Sequence, residues 1–179
     1  VSLTTTINNH LGSFVYDPGT GVVLNDEMDD FTTSDKPNAF GLRGSQANGV
    51  FPGRRPLSSM CPVIALDDKG QPVVVAGASG GPRIITATIM GLLAALDLGM
   101  GAREAVAAPR LHHQWLPNTL IIEKELAQGR AEALKALGHT VKEGLHKAAL
   151  QMVVMKDGHL EGAADPRKDG RVVKGRPTR

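Results

Sequence analysis

Residues 77–99 read GASGGPRIITATIMGLLAALDLG, and the rest of the chain is organised around them. An apolar strand, Pro72-Val73-Val74-Val75-Ala76, leads in. Gly77-Ala78-Ser79-Gly80-Gly81 then makes a turn almost without side chains. Pro82 opens a long helix, at a position whose N–H has no intrahelical partner in any case. Ile85, Ile89, Leu92, Leu93 and Leu96 recur at helical spacing. Ala, Thr and Met fill the opposite face, so the helix is expected to be covered nearly all round. Gly99 and Gly101 stop it. The turn leaves backbone N–H groups free at the end of a helix where the dipole favours negative charge. Such a turn can stabilise an oxyanion. It can also be a tight connection that needs glycine only for positive φ or close packing.

Working outward, the chain of 179 residues has room for one sizeable core. With one Trp, one Tyr and four Phe, that core has to be aliphatic and close-packed. The net charge of +2 is unevenly placed: residues 168–179 hold Lys168, Arg171, Lys174, Arg176 and Arg179 against Asp169. The body is therefore slightly acidic, which argues against a nucleic-acid surface, and the basic tail reads as a solvated end. Cys61 is the single cysteine, so no internal disulfide forms. No apolar run is long enough to span a bilayer, and no signal peptide is recognisable. The chain has no initiator Met and begins inside an alternating stretch, as a fragment or a processed chain would.

Toward the N-terminus, Val1 to Asn8 alternates apolar and polar residues and predicts a half-buried strand. Asp17-Pro18-Gly19-Thr20-Gly21 is a turn before a short strand over Gly21 to Leu24. Asp26, Glu27, Asp29 and Asp30 then crowd four carboxylates into five residues. Glu27 and Asp30 are three apart, so one helical turn puts both on one face, where two acids suit an ammonium group or a cation. A solvated acidic turn is the plainer alternative, and the spaced ligands and glycine of a calcium loop are absent. Thr32 to Pro56 is a long loop rich in Gly and Pro, a candidate lid with Phe40 as its gate, while Phe31 and Phe51 could pin it to the core. Ser58 and Ser59 offer adjacent hydroxyls that can bind a carboxylate or cap backbone groups.

Toward the C-terminus, Pro62–Leu66 and Pro72–Ala76 are strands joined through Asp67-Asp68-Lys69-Gly70, a hairpin signal. Ala102 to Ala108 is a short helix closed by Pro109, and 110–117 a loop. His112 and His113 are adjacent and so point apart, which favours structural hydrogen bonds over a metal site. A strand over 120–123, a helix over 128–137 stopped by Gly138, a strand over 139–142 and a hairpin of 150–155 with 159–163 complete an α+β layered domain.

Six motifs now carry a resemblance: Thr-Thr-Ile-Asn at 5–8, Glu-Met-Asp-Asp-Phe at 27–31, Pro-Leu-Ser-Ser-Met at 56–60, Gly-Ala-Ser-Gly-Gly at 77–81, Pro-Arg-Leu-His-His-Gln-Trp-Leu-Pro at 109–117 and Asp-Pro-Arg at 165–167. In this order they resemble the small subunit of γ-glutamyltranspeptidases over residues 1–167, leaving 168–179 as the basic tail. The resemblance implies an αββα four-layer N-terminal-nucleophile hydrolase sandwich, made as a self-cleaving precursor. It implies transfer of a γ-glutamyl group from glutathione or a related donor to water, an amino acid or a peptide. It also implies a large subunit as partner, a periplasmic or extracellular setting, and neither metal nor other cofactor. By residue, Gly80 and Gly81 match the oxyanion-hole glycines, and Thr6 the threonine that hydrogen-bonds the nucleophile. Asn8, Glu27 and Asp30 match the groups around the donor's α-amino and α-carboxylate ends, and Ser58 and Ser59 the hydroxyls on its α-carboxylate. Phe40 falls at the aromatic gate. Arg110 and Arg167 are given an orienting role near the acids.

Family small subunits begin with the nucleophilic Thr, about a dozen residues before the strand at which this chain starts. The isolated chain is therefore expected to carry the donor cradle and oxyanion hole without the attacking group, and to be inactive alone. A rival reading takes Gly77-Ala78-Ser79-Gly80-Gly81 as the G-x-S-x-G elbow of a serine hydrolase, with Ser79, Asp97 and His112 as its triad. An inert fragment or a binding subunit is the non-enzymatic alternative.

Overall fold

The computed structural model describes residues 1–33, 36–145 and 147–175; Arg176 and Arg179 of the basic tail lie outside the described residues. The alternating stretches on either side of Asp67 form strands β3 (Val63–Leu66) and β4 (Pro72–Ser79). The expected turn joins them: Asp67 Oδ1 accepts the N–H groups of Lys69 and Gln71 at 2.9 and 2.8 Å. β4 pairs on its other side with β8 (Ala149–Lys156), and β8 with β9 (His159–Ala164), all antiparallel. β4 runs on through Gly77, Ala78 and Ser79, so the turn expected over 77–81 is confined to Gly80 and Gly81.

The period-2 pattern of β4 puts Val74, Ala76 and Ala78 on one face of this sheet. Helices α1 (Arg83–Leu96) and α2 (Ala102–Ala107) cover that face. The core between them is built from Ala, Val, Ile, Leu and Met, with Ile84, Leu150 and Met152 as its large members. Full burial of a side chain such as Leu150 is worth about 1.5–3 kcal/mol. The cover expected nearly all round α1 is present on one side only. Ile84, Ala87, Thr88, Gly91 and Ala94 face the sheet, whereas Ile85, Ile89, Leu93 and Leu96 are 44–50% exposed. Small residues win the inner face because the helix lies close on β8: a Cβ at Gly91 would stand 2.3 Å from Leu150 Cδ2.

A second sheet holds β5 (Leu111–His112), β6 (Leu120–Ile122) and β7 (Val141–Glu143), with β5–β6 antiparallel and β6–β7 parallel. Residues 111–112, expected as loop, thus form a strand. The helix expected over 128–137 is shortened to α4 (Ala131–Ala136), and a separate one-turn helix, α3 (Lys124–Ala127), precedes it across Gly129. Near the N-terminus β1 (Tyr16–Asp17) and β2 (Val22–Val23) close the predicted turn.

Two further expectations are corrected. Val1–Ile7 is not a strand. Both edges of β4 are already occupied by β3 and β8, so this segment lies across the sheet, with Ser2 Oγ donating to Ala76 O at 2.8 Å. The described part of the basic tail is also not wholly solvated: Val172 lies against Gly162 of β9.

Candidate active site

Ser79 ends β4 in register with Ala149, and the chain then reverses through Gly80 (φ 138°) and Gly81 (φ 60°) into α1. At Gly80 no side chain fits, because a Cβ would stand 2.6 Å from Ala148 Cα. Among the described residues neither the Gly80 nor the Gly81 N–H donates to a protein acceptor. Two free donors thus sit at the positive end of a 14-residue helix, where charge developing on a carbonyl oxygen is stabilised.

The neighbour that fixes this turn is itself clamped. Arg110 is 1% exposed and donates from Nη1 to Ala148 O at 3.2 Å and from Nη2 to Val106 O at 2.6 Å. Its Nη2 also meets Asp165 Oδ2 at 2.7 Å. Asp165 accepts the N–H of Leu150 at 2.8 Å and of Arg167 at 2.9 Å. Arg167 pairs with Glu123 and Asp165 and donates to Val106 O and Ala108 O, both at 3.0 Å. Glu123 in turn accepts the Arg110 N–H at 2.9 Å. Burial pushes the Asp165 carboxyl up, but the N–H groups of Leu150 and Arg167 and the Arg110 guanidinium hold it below the ordinary carboxylate value. The sequence gives Arg110 and Arg167 an orienting role near the acids, and Glu27 and Asp30 are not their partners. The structure pairs them instead with Asp165 and Glu123, where they fix the start of β8 against Gly80. Sequence reasoning missed Glu123; its one signal was a carboxylate ending the apolar run Leu120–Ile122.

Glu27 to Asp30 form one 3-10 turn, as their spacing requires, and the two carboxyl groups act on each other electrostatically. Burial raises the pKa of both, Asp30 being 8% exposed, and the charge of Asp26 adds to the rise in each. Asp26 stitches this turn to the N-terminal segment: its carboxylate takes the Asn9 N–H at 3.0 Å and the Asn9 amide at 2.6 Å, and its carbonyl takes Asn8 Nδ2 at 3.3 Å. The Asn8 N–H donates to Thr6 Oγ1 at 2.9 Å. Asn48, unremarked in the sequence, ties the acids to the serines. Its amide donates to Asp30 O at 2.8 Å, and its Oδ1 accepts the Leu57 N–H at 3.0 Å. Ser58 Oγ accepts the Met60 N–H at 3.1 Å, so it also caps backbone.

The Phe40 ring stands over Gly81, 3.1 Å from where a Cβ would be. The motif at 109–117 holds it there. Gln114 Nε2 donates to Phe40 O at 3.2 Å and Leu116 O at 3.1 Å, which turns Gln114 Oε1 toward His112 Nε2 at 3.0 Å. The other His112 nitrogen meets Thr86 Oγ1 of α1 at 2.9 Å. Burial lowers the His112 pKa, which favours the neutral ring. His113 bonds separately to Asn118, at 3.1 Å. Phe31 is buried and pins the loop, whereas Phe51 is 45% exposed beneath the Arg54 guanidinium.

These elements enclose a cavity of about 1150 Å³, and of the residues given a role by the family resemblance only Arg110 is not among its lining. A nucleophile elbow is not present. Ser79 is the last residue of a regular strand without positive φ and accepts from Lys168 Nζ at 3.0 Å. His112 is committed to Thr86 and Gln114, and Asp97 caps the far end of α1. Among the described residues no group of three or more His, Cys, Asp or Glu is placed to hold a metal ion.

The sequence model of gamma-glutamyltranspeptidase matches residues 1–175. Scoloptoxin SSD20 of Scolopendra dehaani is 42% identical over 174 residues, covering 96% of this chain and 88% of the toxin. The glutathione hydrolase proenzyme of Escherichia coli (strain K12) is 41% identical over 170 residues, covering 93% of this chain but 29% of the proenzyme. Among solved structures, the gamma-glutamyltranspeptidase from Pseudomonas nitroreducens complexed with L-DON superposes with a TM-score of 0.88 at 40% identity. That match covers 98% of this chain and 93% of that one. The chain thus spans less than a third of the proenzymes it matches.

Proposed function

The chain belongs to the γ-glutamyltranspeptidase family, and from that premise we propose that its cavity is the donor site of an enzyme that transfers or hydrolyses γ-glutamyl groups. One observation carries the reading: two free backbone donors at Gly80 and Gly81 share a cavity with the paired acids Glu27 and Asp30. The donor is glutathione or a related γ-glutamyl compound. Its α-ammonium sits against Glu27 and Asp30, beside Asn8, and its α-carboxylate against Ser58 and Ser59. The scissile carbonyl then points at Gly80 and Gly81, and Phe40 closes over them. As the hydroxyl attacks, negative charge moves to the carbonyl oxygen and the two N–H groups receive it. Collapse of that intermediate expels the amine. Water, an amino acid or a peptide amine then takes the glutamyl group. No metal or other cofactor enters the scheme.

The attacking hydroxyl is a threonine outside these 179 residues. What supports this is the state of the internal hydroxyls: Thr6 Oγ1 accepts from the Asn8 N–H and Ser79 Oγ from Lys168 Nζ, and neither carries the free α-amino group that an N-terminal nucleophile uses as its base. Thr6 is left to orient the nucleophile. The rest of the precursor forms the large subunit, and the exposed stripe Ile85, Ile89, Leu93 and Leu96 is a surface for it. We place the mature enzyme in the periplasm or outside the cell; no helix among the described residues is long and apolar enough to cross a membrane. The test is release of p-nitroaniline from γ-glutamyl-p-nitroanilide by the complete processed protein and by the 179-residue chain. Release is expected from the first alone. Steady release from the chain alone, lost in Thr6→Ala, would make Thr6 the nucleophile.

A further inference from the structure

Arg83 is the first residue of α1, two positions beyond Gly81, and it lines the same cavity. Its Nε is buried and has no hydrogen-bond partner. Among the described residues its guanidinium enters no ion pair. The other cations of the cavity differ. Arg167 is committed to Glu123 and Asp165, Lys168 donates to Ser79, and Lys142 and Lys147 are exposed to solvent. A half-buried cation with an unsatisfied donor is unfavourable until an anion reaches it. The donor's own carboxylate already has Ser58 and Ser59 on the proposed reading, so Arg83 is available to a second anion.

We infer that Arg83 binds the terminal carboxylate of the peptide on the non-glutamyl side of the scissile bond, and so makes the enzyme select leaving and acceptor peptides that end in a free acid. This rests on the γ-glutamyl-transfer reading above. The reach is right: two extended residues beyond the reacting carbonyl, as in a dipeptide leaving group, span about 7 Å. An arginine starting two residues from the oxyanion turn covers that distance. Its planar fork suits a carboxylate held by two parallel bonds. Leaving and acceptor peptides pass through the same space, so one residue serves both.

The experiment compares glutathione with its C-terminal amide as donors for the complete processed protein, reading glutamate release as kcat/KM. The wild type is expected to favour the acid by about tenfold or more, the value of a hydrogen-bonded charge contact. Arg83→Gln is expected to bring the acid-to-amide ratio close to one, and Arg83→Lys to leave it in between, because the charge remains but the fork is lost. If Arg83→Gln does not mature, Arg83→Lys carries the test, and a wild-type ratio in it overturns the assignment. An equal fall for both donors in Arg83→Gln makes Arg83 a structural residue and also overturns it. Release with a ratio near one in the wild type overturns this assignment alone. No release from either donor overturns the γ-glutamyl-transfer reading, and this one with it.

Discussion

Replacing Gly80 by alanine asks the turn to do something its surroundings forbid. At φ 138° an L-residue is strained, at a cost of about 1–3 kcal/mol. The added Cβ would stand 2.6 Å from Ala148 Cα and 2.9 Å from Ala148 Cβ. Ala148 cannot yield easily: it is fully buried, and Arg110 holds its carbonyl at 3.2 Å. The turn itself therefore shifts, and the N–H groups leave the oxyanion position. Losing one such donor lowers kcat by about 10²–10³, or about 3 kcal/mol. Gly81→Ala is the milder contrast. Its φ of 60° lies in the left-handed helical region, costing about 1–2 kcal/mol. Its Cβ meets only the edge of the Phe40 ring at 3.1 Å, a side chain on a loop that can give. In the complete processed protein, Gly80→Ala should lose kcat by at least 100-fold on these magnitudes with a lower melting temperature, and Gly81→Ala should lose much less. A Gly80→Ala enzyme with a wild-type melt and turnover within about threefold, against the loss a missing donor implies, refutes the oxyanion assignment.

Asp165→Asn leaves Arg110 charged, buried and short of its counterion, which costs about 3–5 kcal/mol; a melting temperature within a degree of wild type would contradict that. Because the Asp165 carboxyl is held below its ordinary value of 3.8, its stabilisation is present above that pH and lost as pH falls through the lowered value. Glu27 has the opposite sign. Its pKa is raised above 4.5, so the folded state keeps the proton better than the unfolded chain does, and stability declines as pH rises through that window. Glu27→Gln should therefore raise the melting temperature of the empty enzyme at pH 7 while weakening donor capture. A lower melting temperature would mean that the pair is not repulsive. In the wild type, donor kcat/KM should rise with pH through the same window as Glu27 and Asp30, both raised, lose their protons, measured as a pH profile.

What the sequence made legible follows short-range rules. The β3–β4 hairpin, the span of α1 and the facing of Glu27 with Asp30 all rest on fixed periodicities, and they stand in the structure. Apolar residues all round α1 suggest all-round cover, but hydrophobicity alone does not say which side the sheet takes: close approach to β8 selects Ala87 and Gly91 and leaves Ile85, Ile89 and Leu93 exposed. Val1–Ile7 has the alternation of a strand, but alternation cannot say whether a ladder edge is free to receive it. The polar framework was hidden for a related reason. Asp26, Asn48, Gln114 and Glu123 act through partners distant in sequence or through main-chain groups, and no spacing rule announces them. The family motifs located Arg110 and Arg167 without saying which acids they would meet.

The central claim is that this cavity recognises the α-ammonium of a γ-glutamyl donor through Glu27 and Asp30. The most direct measurement compares γ-glutamyl-p-nitroanilide with glutaryl-p-nitroanilide, the same donor without its α-amino group, in the complete processed protein and in its Asp30→Ala variant. The account predicts a wild-type preference for the γ-glutamyl donor of at least about 100-fold, since half-empty charge pairs cost about 3–5 kcal/mol. It predicts that Asp30→Ala removes most of this preference by slowing that donor and sparing the glutaryl one. Equal turnover of both donors by the wild type, or an equal loss for both in Asp30→Ala, would contradict it.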